Sequence, residues 1–366
     1  MKKVYLVHCW DGTIEDGWYL WLKRALENSN IEVKMENMPN TQTPSINEWV
    51  SKLDSLVNKL DEDTYFIGHS IGCQTIMRYL EIKEVSKIGG ILFVAPWLDL
   101  LPEALSDGSD EIAKPWIETI IDFDKIKEFT NNITCIFSDD DYFVSLDQEK
   151  EFKNKLNART VIINNKGHIS GDDGIIELPI ILNEFGKILE IEFLDIVDEK
   201  GITTNKIMDK NLIHDKNLLH NEVGVFIFNS KGETLIQKRS ANKRFKPNMW
   251  AICAGHVDCG EDNLIAMQRE LSEELGILLN LNELIKFNVT ILERNENSHI
   301  RNEYYAFIDK DINGFKINEE ELSEIKWIPF EQFKNMIVNN DPTITMSNNN
   351  HNLKTLSLLE EVLKIN

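Results

Sequence analysis

The apolar run from Thr64 to Gly68 leads without a break into Gly68-His69-Ser70-Ile71-Gly72, and then into a segment carrying Ile76, Met77 and Leu80 at helical spacing. A strand that becomes a helix across a Gly-x-Ser-x-Gly turn leaves few folds open. The turn is strained, and it needs small residues beside the serine so that the hydroxyl projects freely. A glycine-rich turn with an incidental serine is the plain alternative, so the surrounding segments have to decide.

They repeat the same alternation. Val4 to Val7 is a short apolar run ending in His8-Cys9-Trp10-Asp11-Gly12, and Ile31 to Met35 reads as a second strand. Trp18 to Leu26 and Ile46 to Leu60 have helical periodicity, the second with a stripe of Trp49, Leu53, Leu56, Val57 and Leu60. Ile88 to Ala95 is a continuous apolar run that suits a central strand. Ile133 to Phe137 feeds Ser138-Asp139-Asp140-Asp141-Tyr142-Phe143-Val144, and Val161-Ile162-Ile163 precedes Lys166-Gly167-His168. Strands alternating with helices predict an α/β domain with a mostly parallel sheet flanked by helices. Serine, aspartate, histidine, the last two in loops after late strands, is the order of an α/β-hydrolase.

His8-Cys9-Trp10-Asp11-Gly12, the serine turn, the Ser138–Val144 segment and Lys166-Gly167-His168 resemble the small serine hydrolases grouped with retinoblastoma-binding protein 9 and bacterial YdeN. The resemblance covers roughly Met1 to Ile188. It implies Ser70 as nucleophile, His168 as general base and later acid, and Asp141 as the group that orients the imidazole. In that family a proline usually follows the acid, whereas Tyr142 follows Asp141, so Asp139 and Asp140 stay open as alternatives. Backbone amides of Ile71 and of Cys9 or Trp10 would form the oxyanion hole. The implied substrate is an ester or amide. His8 and His69 are expected to pack and shape the site, Cys73 to pack, and the proline-broken stretch from Trp97 to Trp116 to lie over the serine as a lid.

In the C-terminal half, Glu270, Glu273 and Glu274 stand at i, i+3 and i+4 of a helical run, which puts three carboxylates on one face. Such a face is either a solvated acidic surface or a seat for a hard divalent cation. Gly255, Glu261, Arg269, Glu270, Leu271, Glu273, Glu274, Gly276 and Ile277 match the Nudix box G-x5-E-x7-R-E-U-x-E-E-x-G-U, where U is bulky and apolar. The resemblance runs from about Glu190 to the C-terminus. It implies an α/β/α sandwich that cleaves a diphosphate linked to another moiety, using Mg²⁺ or Mn²⁺. By family role Glu270, Glu273 and Glu274 bind the metal, with the Gly255 carbonyl a further candidate, while Glu261 and Arg269 support them. Glu303 is the candidate general base outside the box, or else an edge-strand charge. Lys238, Arg239, Lys243 and Arg244 form a basic concentration that either meets phosphate or is a solvated turn.

The stretch from LDIVDEKG through Gln237-Lys238-Arg239-Ser240, Lys243, Pro247 and Trp250 resembles the Nudix branch close to isopentenyl-diphosphate isomerase. Isomerisation is thus the competing chemistry. In those isomerases the box is usually degenerate and a cysteine pair precedes its Gly-His; here the box is complete and only Cys253 precedes Ala254-Gly255-His256. Hydrolysis is therefore expected.

Two domains are expected over 366 residues, at 1–188 and 189–366. A net charge of −22 argues against broad binding to nucleic acid or an anionic membrane, and small-molecule diphosphates and esters or amides are the expected partners. The odd set Cys9, Cys73, Cys135, Cys253 and Cys259, with no C-x-x-C pair, suits reduced thiols and a cytoplasmic protein. Oligomeric state is left open. A different class of reading makes one or both halves a binding module without turnover.

Overall fold

The computed structural model describes residues 1–105, 108–293 and 297–365. The chain divides into two compact units, Met1–Phe193 and Leu194–Asn366.

The first unit is built from β1 (Lys3–Val7), α1 (Tyr19–Asn28), β2 (Glu32–Lys34), α2 (Ile46–Leu56), β3 (Thr64–His69), α3 (Ile71–Glu81), β4 (Gly90–Val94), α4 (Ser109–Glu118), α5 (Phe123–Phe129), β5 (Ile133–Ser138), α6 (Gln148–Leu156), β6 (Arg159–Ile163) and α7 (Pro179–Leu189). The strands form one parallel sheet in the order β2-β1-β3-β4-β5-β6, the mostly parallel α/β architecture expected. Every residue of β3, β4 and β5 is buried, because helices cover both faces. Phe66, fully buried at the centre, packs with Tyr5 and Tyr79. Truncating it to alanine would cost about 3–5 kcal/mol. The α2 stripe buries Trp49, Val50 and Leu53, but the helix stops at Leu56, short of the Leu60 its periodicity predicts.

The second unit is entered along β7 (Phe193–Val197), whose first residue ends the first unit, and continues through β8 (Thr203–Asp209), α8 (Lys210–Asp215), β9 (Asn221–Phe228), β10 (Glu233–Arg239), β11 (Trp250–Ala251), β12 (Cys253–His256), α9 (Asn263–Leu275), β13 (Ile285–Leu292), β14 (His299–Phe307), β15 (Leu322–Pro329), α10 (Phe330–Val338) and α11 (Asn350–Ile365). Its main sheet is mixed, with β9 parallel to β14 and antiparallel to β12. Alternation along β9 sends Val223, Val225 and Ile227 to a core with Ala266, Met267, Leu271 and Leu275 of α9. Phe226 and Phe228 point the other way, against Phe333 of α10 and Leu356 and Leu359 of α11. The result is a sheet between helices, the expected sandwich. Among the described residues no helix is long and apolar enough to cross a membrane.

Candidate active sites

Ser70 sits between β3 and α3 with φ 55° and ψ −122°. A non-glycine residue held there stores about 1–3 kcal/mol of strain. The Ser70 amide is tied to the Val94 carbonyl at 2.9 Å. Close packing explains both flanking glycines: a Cβ on Gly68 would lie 2.8 Å from the Cys73 backbone, and one on Gly72 would lie 2.3 Å from the Val7 carbonyl oxygen.

His168 Nε2 lies 2.8 Å from Ser70 Oγ, and its Nδ1 lies 2.8 Å from Asp141 Oδ2. A carboxylate only accepts, so the ring proton sits on Nδ1 and Nε2 is free to accept from the serine hydroxyl. Asp141 is fixed in turn by the amides of Phe143 and Val144, at 2.9 and 3.0 Å to Oδ1. The alternative acids do other work. Asp140 accepts from the Ser138 hydroxyl at 2.7 Å and from the Lys166 and Gly167 amides at 2.9 Å, contacts that hold its carboxyl below the usual range. Asp139 accepts from the Asn165 amide at 2.8 Å. Both acids pin the loop that carries His168.

The Cys9 amide donates to the Tyr19 hydroxyl at 3.1 Å, which corrects its candidacy as an oxyanion donor and leaves the amides of Trp10 and Ile71. His8 and His69 are both buried; His8 accepts from the Met38 amide at 2.9 Å, and burial pushes the His69 pKa down to about 3. Ser70 is itself 5% exposed. Of the expected lid, positions 106 and 107 lie outside the described residues; Trp116 is buried, with its indole N–H on the Pro44 carbonyl at 3.1 Å.

In the second unit the carboxylates of Glu261, Glu270 and Glu273 converge on Arg269. Its Nε and Nη2 clamp Glu261 at 2.9 Å each, and its Nη1 reaches Glu270 at 2.8 Å and Glu273 at 3.1 Å. Nη2 also donates to the His256 carbonyl at 2.9 Å, fixing the helix to β12. Glu274 is buried and accepts from Gln237 Nε2 at 2.6 Å. Burial pushes the Glu270 carboxyl up to about 8 against the pull of Arg269, and burial raises Glu274 as well. A site with strained carboxylates and one guanidinium is short of positive charge. A divalent cation fits it. Gly255 faces this cluster: a Cβ there would meet Glu270 Cδ at 2.0 Å.

A serine hydrolase family model matches residues 4–187, half of the 366-residue chain. The chain belongs to the serine hydrolase family. A NUDIX domain model matches residues 218–346. YdeN of Bacillus subtilis, named as a hydrolase, is 29% identical over 181 residues, 49% of this chain and 92% of its own. An uncharacterised Nudix hydrolase of Listeria monocytogenes is 31% identical over 148 residues, 39% of this chain and 83% of that one. Isopentenyl-diphosphate Delta-isomerase 2 of Photorhabdus laumondii is 34% identical over 122 residues, 33% of this chain and 67% of the isomerase. The protein is thus an enzyme of hydrolase type, a serine hydrolase joined to a Nudix domain, and Nudix hydrolases work with divalent metal ions.

In the Nudix half Glu303 stands elsewhere than expected, and the basic residues have partners of their own. Glu303 is 1% exposed on the α11 face of the sheet, opposite the box helix, bound to Asn288 at 2.7 Å, Thr355 at 2.8 Å and His351 at 3.3 Å. It is neither an edge-strand surface charge nor part of the α9 cluster. Lys243 pairs with Glu321, and Lys238 lies over the Trp250 ring at 5.9 Å. Arg239 is the basic residue that shares a face with Gln237, and Glu274 and Glu222 both act on its charge.

The sequence reading missed a histidine cluster. Ligand atoms of His214, His220 and His256 lie within 4.8 Å of one another, as do those of His220, Glu222 and His299. Glu222 is also bound by Arg301 at 2.6 Å. Burial opposes its charge, but His299 and the Arg301 guanidinium outweigh that and hold its carboxyl well below the usual range. His220 and His256 are pushed the other way, toward the neutral form, by burial. The one local signal was His256, directly after Gly255.

Proposed function

We propose that the chain is a bifunctional hydrolase. The Nudix half cleaves a diphosphate linked to another moiety, and the N-terminal half hydrolyses an ester- or amide-type substrate. The alignment of Ser70, His168 and Asp141 at 2.8 Å per link carries the second activity. Ser70 attacks the carbonyl carbon, His168 Nε2 takes its proton and later gives it to the leaving group, and Asp141 steadies the imidazolium. Amides of Trp10 and Ile71 receive the oxyanion.

In the Nudix half, Glu270, Glu273 and Glu274 would hold Mg²⁺ or Mn²⁺, which when bound supplies neutralisation of diphosphate charge and activation of water. Arg269 keeps the glutamates in place, and Arg239 is the basic group best placed for phosphate. A panel of nucleoside and isoprenoid diphosphates with Mg²⁺, run beside simple esters, tests both halves. Ser70→Ala should remove only ester cleavage and Glu273→Gln only diphosphate cleavage. Retention of either activity in its own variant refutes that half of the reading.

Isomerisation remains the second reading because of the histidine cluster. Moving a proton on and off carbon needs a matched acid and base, and neutral imidazoles beside the Glu222 carboxylate suit that task. In D₂O, deuterium entering isopentenyl diphosphate without phosphate release would favour it over hydrolysis.

A further inference from the structure

Among the described residues two side chains hydrogen-bond Ser70 Oγ, and His168 is one of them. The other comes from Trp97, whose Nε1–H donates to the same oxygen at 3.2 Å. The indole is 1% exposed, and this N–H is its only polar group. The fold builds its position. Ala95, directly after β4, has φ 46°, its amide held by the Ile136 carbonyl at 2.8 Å, and buried Gln74 of α3 donates to the Trp97 carbonyl at 3.2 Å. Nothing in the proposed triad requires this donor. An indole directed at an alcohol oxygen gains little while that oxygen is neutral, and roughly twice as much once it carries charge.

We propose that Trp97 is a catalytic residue for deacylation, its Nε1–H stabilising Ser70 Oγ as that oxygen leaves the acyl group. The inference rests on Ser70 being the nucleophile. In this step water adds to the acyl carbon and passes a proton to His168 Nε2. The bond from the acyl carbon to Oγ then breaks, its electron pair stays on Oγ, and His168 returns the proton there, leaving free acid and free serine. Charge gathers on Oγ during the bond breaking, and Trp97 is already within reach of it. In acylation Oγ starts as a free hydroxyl that already accepts this bond, whereas the ester oxygen of the acyl-enzyme is a poorer acceptor, so the gain on reaching the transition state is larger in deacylation. The two half-reactions therefore respond differently to its loss.

Stopped-flow hydrolysis of p-nitrophenyl acetate by the full chain, with fluorophosphonate labelling in parallel, tests this. In Trp97→Phe, deacylation should slow by about tenfold, the loss of one hydrogen bond to a charged atom, while labelling changes by less than about twofold. The burst then grows relative to the steady rate. Equal slowing of both phases, or an unchanged steady rate, overturns the inference while leaving Ser70 as nucleophile. A wild-type chain that neither labels nor shows a burst overturns both. Should Trp97→Phe fail to fold, benzothienylalanine at position 97 keeps the ring volume, replaces N–H by sulfur, and decides the question by the same ratio.

Discussion

The hydroxyl of Tyr19 and Nδ1 of His69 lie 2.6 Å apart, and the direction of that hydrogen bond is fixed. His69 Nε2 faces the His168 carbonyl at 2.9 Å; a carbonyl only accepts, so Nε2 carries the proton and Tyr19 donates to Nδ1. The Tyr19 oxygen accepts the Cys9 amide in turn. One chain of hydrogen bonds thus joins the loop after β1, which carries the oxyanion candidates, to the loop that carries His168.

Tyr19→Phe cuts that chain in two places. It leaves the Cys9 amide and His69 Nδ1 without their partner inside the fold, at a cost of about 1–3 kcal/mol each where no water replaces it. We expect lower stability in urea and slower fluorophosphonate labelling of Ser70. An unchanged labelling rate in a destabilised variant would reduce the Tyr19–His69 pair to a packing role.

The same pair sets an acid limit. Burial, with the His168 imidazole adding to it, pushes the His69 pKa down to about 3, below the ordinary 6.5 of an unfolded chain. The unfolded state therefore binds the proton more readily. The stability from keeping His69 neutral is present in full above pH 6.5 and is lost as pH falls toward 3, at about 1.4 kcal/mol per pH unit. Buried His8, shifted the same way, adds to the slope. Tryptophan-detected unfolding from pH 7.5 to 4.5 should show the fall, and His69→Asn should make it shallower. A slope unchanged by that substitution would assign the acid sensitivity elsewhere.

What could be read from the sequence was whatever lies close together along the chain. The serine turn is strand, glycine, serine, glycine and helix in succession, and the box glutamates share a face through helical spacing alone. The rest depends on strand register. Glu222 meets Arg301 and His256 because β9 pairs with both β14 and β12, with Glu222 opposite each of them. Glu303 lies on the α11 side because Tyr304, its neighbour, faces α9. A one-residue change in parity would exchange the two. Trp97 reaches Ser70 only because β4 lies beside β3 in the sheet.

Among the described residues Arg269 is the cation that ties Glu261, Glu270 and Glu273 together. Arg269→Ala should cost the Nudix half about 3 kcal/mol, the scale for removing one partner of a largely buried ion pair. Mg²⁺ should recover part of that loss, since it brings positive charge to the same carboxylates. Thermal unfolding with and without Mg²⁺ measures this, and a larger Mg²⁺ shift in the variant than in the wild type is the expected sign. Glu273→Gln should behave differently. The side chain is 58% exposed, so stability should change by no more than about 0.5 kcal/mol, while diphosphate cleavage falls on the order of 100-fold.

Gly255 offers the sharpest separation of folding from metal binding. A Cβ added there would meet the Glu270 carboxyl at 2.0 to 2.4 Å, so the two cannot keep their present positions. The obstacle is the far end of a flexible side chain, which can swing aside at little cost to β12 or α9. Gly255→Ala should therefore fold, with unfolding close to the wild type in the absence of metal. Its loss should appear in Mg²⁺ affinity, weakened by about tenfold or more as one ligand leaves the set. Titration calorimetry with Mg²⁺ reads this directly. A variant that folds and binds Mg²⁺ as tightly as the wild type would show that Glu270, in the position it occupies beside Gly255, is not part of the metal site.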